Sequence, residues 1–125
     1  MHEDLYGTLR EPGLTNLQNG VDVLIDIDTQ GAATIRNSKD PIVQQALADI
    51  FIMPPDVEEL RRRLMKRGTE TAQQIESRLA TAMREMELWR DYRYIIVSGS
   101  IEDDLEKVRN IMSAETFLSW RLTPN

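Results

Sequence analysis

Apolar residues in this chain occur either in short continuous blocks or in longer stretches with helical spacing. The blocks V-D-V-L-I-D-I-D at 21–28, D-I-F-I-M at 49–53 and Y-I-I-V at 94–97 are bounded by polar or turn-forming residues, which predicts three strands buried on both faces. Short helices over 31–37 and 42–48 are expected between the first two, parted around Pro41. Pro54-Pro55 cannot continue a ladder and closes the second strand. Asp56 with Glu59 three residues on has the form of a capping box, and Gly68 offers a left-handed stop after Arg67, so a helix fills the interval. Thr71 with Gln74 repeats the signal for a second helix, whose Ile75, Leu79, Ala82, Met83, Met86 and Trp89 recur at three- and four-residue spacing. Ser100 with Asp103 opens a last helix carrying Ile101, Leu105, Val108, Ile111 and Met112. Residues 1–20 are polar and broken by Gly7, Pro12, Gly13 and Gly20, leaving room for a short helix at 14–18. Strands alternating with helices imply an α/β domain with a parallel sheet of about three strands and flanking helices.

Composition narrows what such a domain does. A formal charge of −6 argues against a chain whose main work is coating nucleic acid, since neutralising phosphates needs an excess of Lys and Arg. The chain has no cysteine, so it holds no disulfide, thiolate metal site or thiol nucleophile, which suits a reducing compartment. No apolar stretch approaches the roughly 20 residues that span a bilayer, and residues 1–20 lack the layout of a signal peptide, so the expectation is a cytoplasmic protein with no membrane partner. His2, the lone histidine, has no visible acid or nucleophile partner.

Two constellations could carry chemistry. Asp26 and Asp28 lie at the end of the first predicted strand, the edge where α/β sheets bind ligands, but they alternate along it and so face opposite sides. An acid there either orders metal-bound water or a basic partner near a nucleotide phosphate, or caps the helix that begins at Gln30-Gly31. Arg63 and Arg67 share one helix face at a spacing of four, and Arg78 follows on the next helix. Three forked guanidiniums can converge on one phosphate, a use that suits twelve arginines set against only Lys39, Lys66 and Lys107. The alternative is a solvated face, where Glu58 with Arg62 and Glu59 with Arg63 form ordinary i,i+4 pairs. No glycine is followed by lysine, so the phosphate-cradling pattern G-x-x-x-x-G-K-[ST] does not occur.

Several segments, in order, resemble the C-terminal two thirds of the guanylate kinase family. They are Tyr6-Gly7-Thr8-x-Arg10-Glu11, the run G-V-D-V-L-I-D-I-D-T-Q-G at 20–31, and Ile50-Phe51-Ile52-Met53-Pro54-Pro55. Leu60-x-x-Arg63-Leu64-x-x-Arg67-Gly68-Thr69, Ile75-x-x-Arg78-Leu79 and Tyr92-x-Tyr94-Ile95-Ile96-Val97 follow. The resemblance implies an incomplete P-loop-kinase-like sheet with a helical lid at 56–90 and a remnant of the GMP-binding lobe at 1–20. It implies transfer of a phosphoryl group from ATP, carried with Mg2+, to GMP. Tyr6 and Thr8 match positions that hold GMP phosphate and guanine, Asp28 matches an acid beside the GMP site, and Arg63, Arg67 and Arg78 match lid arginines that close over the phosphates. After the last strand the family usually has Asn-Asp-Asp, where this chain has Ser98-Gly99-Ser100.

The resemblance also implies a missing front end, comprising the phosphate-binding loop and most of the GMP lobe. Without that loop's amides, lysine and magnesium-binding hydroxyl, the chain alone is expected to lack turnover and to hold no metal or cofactor tightly. Its strands would keep unpaired apolar edges, which predicts self-association into a homo-oligomer. The rival expectations are a non-catalytic guanylate kinase-like binding module and a relic of gene truncation.

Overall fold

The computed structural model describes residues 22–68 and 70–118, which fall into two compact units divided after Asp49. In the first unit, Asp28 is extended and its carboxylate accepts the Gly31 amide at 2.8 Å, which caps helix α1 (Thr29–Arg36) two residues ahead of the expected start. Glycine at 31 keeps this turn tight, because a Cβ there would lie 2.4 Å from the Ile27 side chain and 3.1 Å from Asp28 Oδ1. Asp40 caps α2 (Pro41–Ala46) by accepting the Ile42 amide at 2.9 Å, with proline where no amide partner is needed. Arg36, in the last turn of α1, forms an ion pair with Asp49 at 2.8 Å, and among the described residues of this unit Ala32 and Val43 are buried apolar side chains.

The strand expected at 21–28 is not formed over its described part. Residues 22–28 have no regular structure, and Leu24 is 80% exposed. A continuous apolar run specifies burial, whereas a strand also needs a neighbour to take its amides and carbonyls, and no partner for this run exists among the described residues. The described sheet therefore has two strands where about three were expected.

That sheet lies in the second unit, where β1 (Ile50–Met53) pairs in parallel with β2 (Tyr94–Val97) in the register Ile50 to Tyr94 through Met53 to Val97. Phe51 and Ile96 are buried, and the Phe51 ring meets Tyr92 edge-on with centroids 5.0 Å apart. After Pro54-Pro55, Asp56 caps α3 (Val57–Lys66) through the Glu59 amide at 2.7 Å. The Glu59 carboxylate turns to Arg62 and Arg63, so only the forward half of the expected capping box is made. Thr71 and Gln74 form a complete box at the start of α4 (Ala72–Met86), with bonds of 2.8 and 3.2 Å. Arg61 of α3 pairs with Glu76 of α4, and Leu79 is 3% exposed. A 3-10 segment (Glu87–Asp91) follows, which puts Trp89 beyond the α-helical stripe and leaves it exposed.

Helix α5 (Ile101–Glu115) is capped by Ser100, which accepts the Asp103 amide at 3.1 Å. Its far end is pinned to the start of β2, where the 4% exposed Glu115 accepts the Tyr94 hydroxyl and pairs with Arg93 at 3.2 Å. The Tyr94 phenol is pushed above its usual value, first by that hydrogen bond and then by burial. Among the described residues no helix is long and apolar enough to cross a membrane.

Gly68 follows α3 with a φ of 68°, and nothing lies within 4 Å of where its Cβ would stand. The cost of alanine there is therefore conformational: Gly68→Ala is expected to lose about 1 kcal/mol in denaturant melts, and Gly68→Asn less. Leu79→Ala, which empties a buried site, is expected to lose about 2–5 kcal/mol in the same measurement.

Candidate functional site

Parallel pairing sets the carboxyl ends of β1 and β2 side by side, and Ser98 prolongs the ladder by donating its amide to Met53 O at 2.8 Å. The crevice outside such strand ends is where open α/β sheets bind ligands. The helices that follow the two strands both bring polar side chains to this edge. From α3, Arg63 is held at Nε by Glu59, 2.9 Å away, and its Nη1 donates across to Ser98 Oγ at 3.2 Å. From α5, Asp104 accepts the Ser98 hydroxyl at 2.7 Å and the Gly99 amide at 2.9 Å, while Lys107 donates to the Val97 carbonyl at 3.1 Å.

Asp104 is held below the usual carboxylate range, first by the Gly99 amide, then by the Ser98 hydroxyl, with the charges of Lys107 and Arg63 adding to both. This stretch gathers two cations and a hydroxyl at the strand ends, groups of the kind an anion site uses. The sequence marked Ser100 as a helix cap and Ser98-Gly99-Ser100 as a departure from a family pattern, and it gave Ser98, Asp104 and Lys107 no site role. The available signal was an acid in the first turn of a helix that starts three residues after a strand.

The other predicted arginines occupy separate positions. Arg67 is the C-cap residue of α3, one turn beyond Arg63, and is exposed with no ion pair among the described residues. Arg78 pairs with Glu70 of the α3–α4 loop at 2.8 Å, and one oxygen of that glutamate, Oε2, is buried without a hydrogen-bond partner among the described residues. The two paired arginines, Arg63 and Arg78, thus engage different acids, and none of these partners is common to both. The solvated-face alternative holds in part, since Glu59 does pair with Arg63, but Arg63 also leaves its helix to reach the strand edge.

In the first unit Asp28 is the cap of α1, the structural alternative weighed for it, and Asp26 is exposed in the irregular run before it. Tyr6 and Thr8 lie outside the described residues. No group of three or more His, Cys, Asp or Glu is arranged to hold a metal ion among the described residues.

The family model for guanylate kinase matches residues 1–115. The chain is 39% identical over 115 residues to a guanylate kinase of Chelativorans sp. (strain BNC1), covering 92% of this chain and 51% of that protein. It is 37% identical over 116 residues to one of Clostridium tetani, covering 92% and 53% respectively. The crystal structure of guanylate kinase from Anaplasma phagocytophilum superposes with a TM-score of 0.72 at 33% identity, over 90% of this chain and 50% of that one. The chain thus spans about half the length of the curated relatives it matches.

Because its bonds are made to the ionised form, Asp104 adds stability that is present above the ordinary aspartate range and is lost as pH falls through its lowered value. The Gly99 amide resonance is expected to report this titration with a midpoint below that of an ordinary aspartate, and Ser98→Ala to raise the midpoint by removing one donor.

Proposed function

The chain belongs to the guanylate kinase family, and from that premise we propose that it supplies the closing helices and part of the GMP site for phosphoryl transfer from ATP to GMP, giving ADP and GDP. The observation that carries this reading is the Arg63 guanidinium standing at the carboxyl edge of the parallel sheet, against Ser98. Charge in this reaction is spread over phosphate oxygens, so catalysis rests on positioned cations more than on covalent steps by the protein. Arg63, Arg67 and Arg78 hold those oxygens when α3 and α4 close.

Their resting partners can be displaced. The side chains of Arg63 and Arg78 are 42% and 54% exposed, against 20% and 12% for their partners Glu59 and Glu70, so the cationic side of each pair is open to competition from a phosphate bearing more charge. Asp28 lies beside the GMP site and, in the same reading, Tyr6 and Thr8 hold GMP phosphate and guanine. The G-x-x-x-x-G-K-[ST] cradle for donor phosphates does not occur in these 125 residues, so turnover belongs to an assembly that includes such a loop. Mg2+ enters with ATP, and the described residues offer no three-ligand group for it. The setting proposed for this chemistry is the cytoplasm.

A second reading, self-association, is favoured by one observation: Leu24 is 80% exposed within the unpaired apolar run, and Ile52 and Ile95 of the two-stranded sheet are exposed too. A homo-oligomer or a non-catalytic binding module would cover such surface.

A coupled assay of ADP release with GMP and ATP tests the first reading, and sedimentation the second. The purified chain is expected to show no turnover. Fusion to a loop-bearing amino-terminal half from the Chelativorans relative is expected to restore it. In that fusion Arg63→Ala, Arg67→Ala or Arg78→Ala should each lower kcat by about a hundredfold or more. Turnover by the chain alone, or full activity of all three variants, overturns the assignment. A compact monomer in sedimentation overturns the second reading.

A further inference from the structure

The polar contacts at the carboxyl edge form one continuous chain whose order has a consequence for Arg63. A serine hydroxyl has a single proton to give. Ser98 gives its proton to Asp104 Oδ2 at 2.7 Å, so the side facing Arg63 is a lone pair, and Nη1 donates into it at 3.2 Å. The carboxylate is itself oriented, because its other oxygen accepts the Gly99 amide at 2.9 Å. Lys107 directs its ammonium to the Val97 carbonyl at 3.1 Å, which leaves the Ser98-facing oxygen of Asp104 to the hydroxyl. Glu59 fixes the near end of the guanidinium at Nε, 2.9 Å away, so Arg63 is gripped at two points by two different elements. Only a planar fork can satisfy both points at once.

We propose that Asp104, acting through Ser98, is a positioning residue that sets where the Arg63 guanidinium stands at the edge of the sheet. The proposal rests on the reading of Arg63 as a phosphate-binding group, and it gives a purpose to Ser98-Gly99-Ser100, which replaces the Asn-Asp-Asp expected from the family resemblance. Serine at 98 supplies a hydroxyl that passes the orientation of the acid on to the arginine. Glycine at 99 supplies its amide to the acid at 2.9 Å. Asp104 reaches back from the first turn of α5, so the arginine of one connecting helix is placed by the acid of the other.

The test uses the full 125-residue chain with side-chain nitrogen NMR of the Arg63 Nη1 group, the nitrogen that donates to Ser98, and circular dichroism to confirm that each variant folds. Asp104→Asn reverses the sense of one of its two accepted bonds, and Ser98→Ala removes the intermediary. Both are expected to speed solvent exchange of the Arg63 Nη1 protons by about fivefold, the effect of one lost hydrogen bond of typical strength, while Ser98→Thr, which keeps the hydroxyl, is expected to behave as the parent. A purely structural role for Asp104 would not make the Arg63 Nη1 protons respond to Ser98→Ala and Asp104→Asn alike while Ser98→Thr leaves them unchanged. Unchanged exchange in both Asp104→Asn and Ser98→Ala, with folding intact, overturns the proposal.

Calorimetry with ATP and with GMP on the loop-bearing fusion separates the two ideas. Weakened nucleotide binding in Asp104→Asn and Ser98→Ala, with altered Arg63 exchange, supports both. Altered exchange with unchanged binding keeps Asp104 as the positioning residue and removes Arg63 from the phosphate site.

Discussion

The parallel ladder between Ile50–Met53 and Tyr94–Val97 obliges both strands to end at the same edge, and nearly every polar contact of functional interest in the second unit follows from that direction. Had the pairing been antiparallel, Met53 and Val97 would lie at opposite ends and the helices that succeed them would leave the sheet apart. Instead the loop after β1 and the loop after β2 begin as neighbours, joined by the Ser98 amide and the Met53 carbonyl at 2.8 Å. Helices α3 and α5 therefore place Arg63 and Asp104 within reach of one serine, though 41 positions separate them along the chain (104 − 63). Sheet direction converts two remote residues into one site.

The sequence was most readable where a local signal and its partner lie within a few residues. Thr71 with Gln74, Ser100 with Asp103, Asp56 ahead of α3 and Gly68 behind it all do what their spacing implies, because a cap bond needs nothing outside its own turn. β2 was located to the residue. The run at 21–28 was misread as a strand for the complementary reason: apolar patterning is local, but a ladder requires a second segment, and the pattern cannot say whether one is at hand. The apolar stripe predicted for α4 was also only partly realised: Leu79 is buried but Met83 is exposed within the helix, and Trp89 falls in the 3-10 segment after Met86, where the α-helical spacing no longer holds.

Site legibility followed the same division. The pairing of Glu59 with Arg63 and the capping by Asp28 could be read from spacing, whereas the contacts of Arg63 with Ser98 and of Ser98 with Asp104 depend on the ladder and could not. Resemblance to a family located the arginines but gave no partner for them. It gave no role to Asp104, which lies outside the segments that carry the resemblance.

The two ends of β2 are built on opposite principles, and the difference bears on what each can do. At its start, Glu115 is 4% exposed and locked between the Tyr94 hydroxyl and Arg93; a buried charge of this kind is costly to leave unpaired, so the end of α5 has little freedom to depart. Past its finish, Arg63 and Lys107 and the acids that face them are solvent-accessible, their bonds individually weak and open to competition from water or a stronger anion. A strand anchored at one end and loosely dressed at the other suits a site that must hold its framework still while exchanging its own acids for those of a ligand. Two of the three arginines proposed to meet a phosphate have an acid beside them, whereas Arg67 has no ion pair among the described residues. Glu59 and Glu70 are the acids beside Arg63 and Arg78, and Asp104 differs from them in acting on the arginine through a hydroxyl, which sets its direction without occupying the charge.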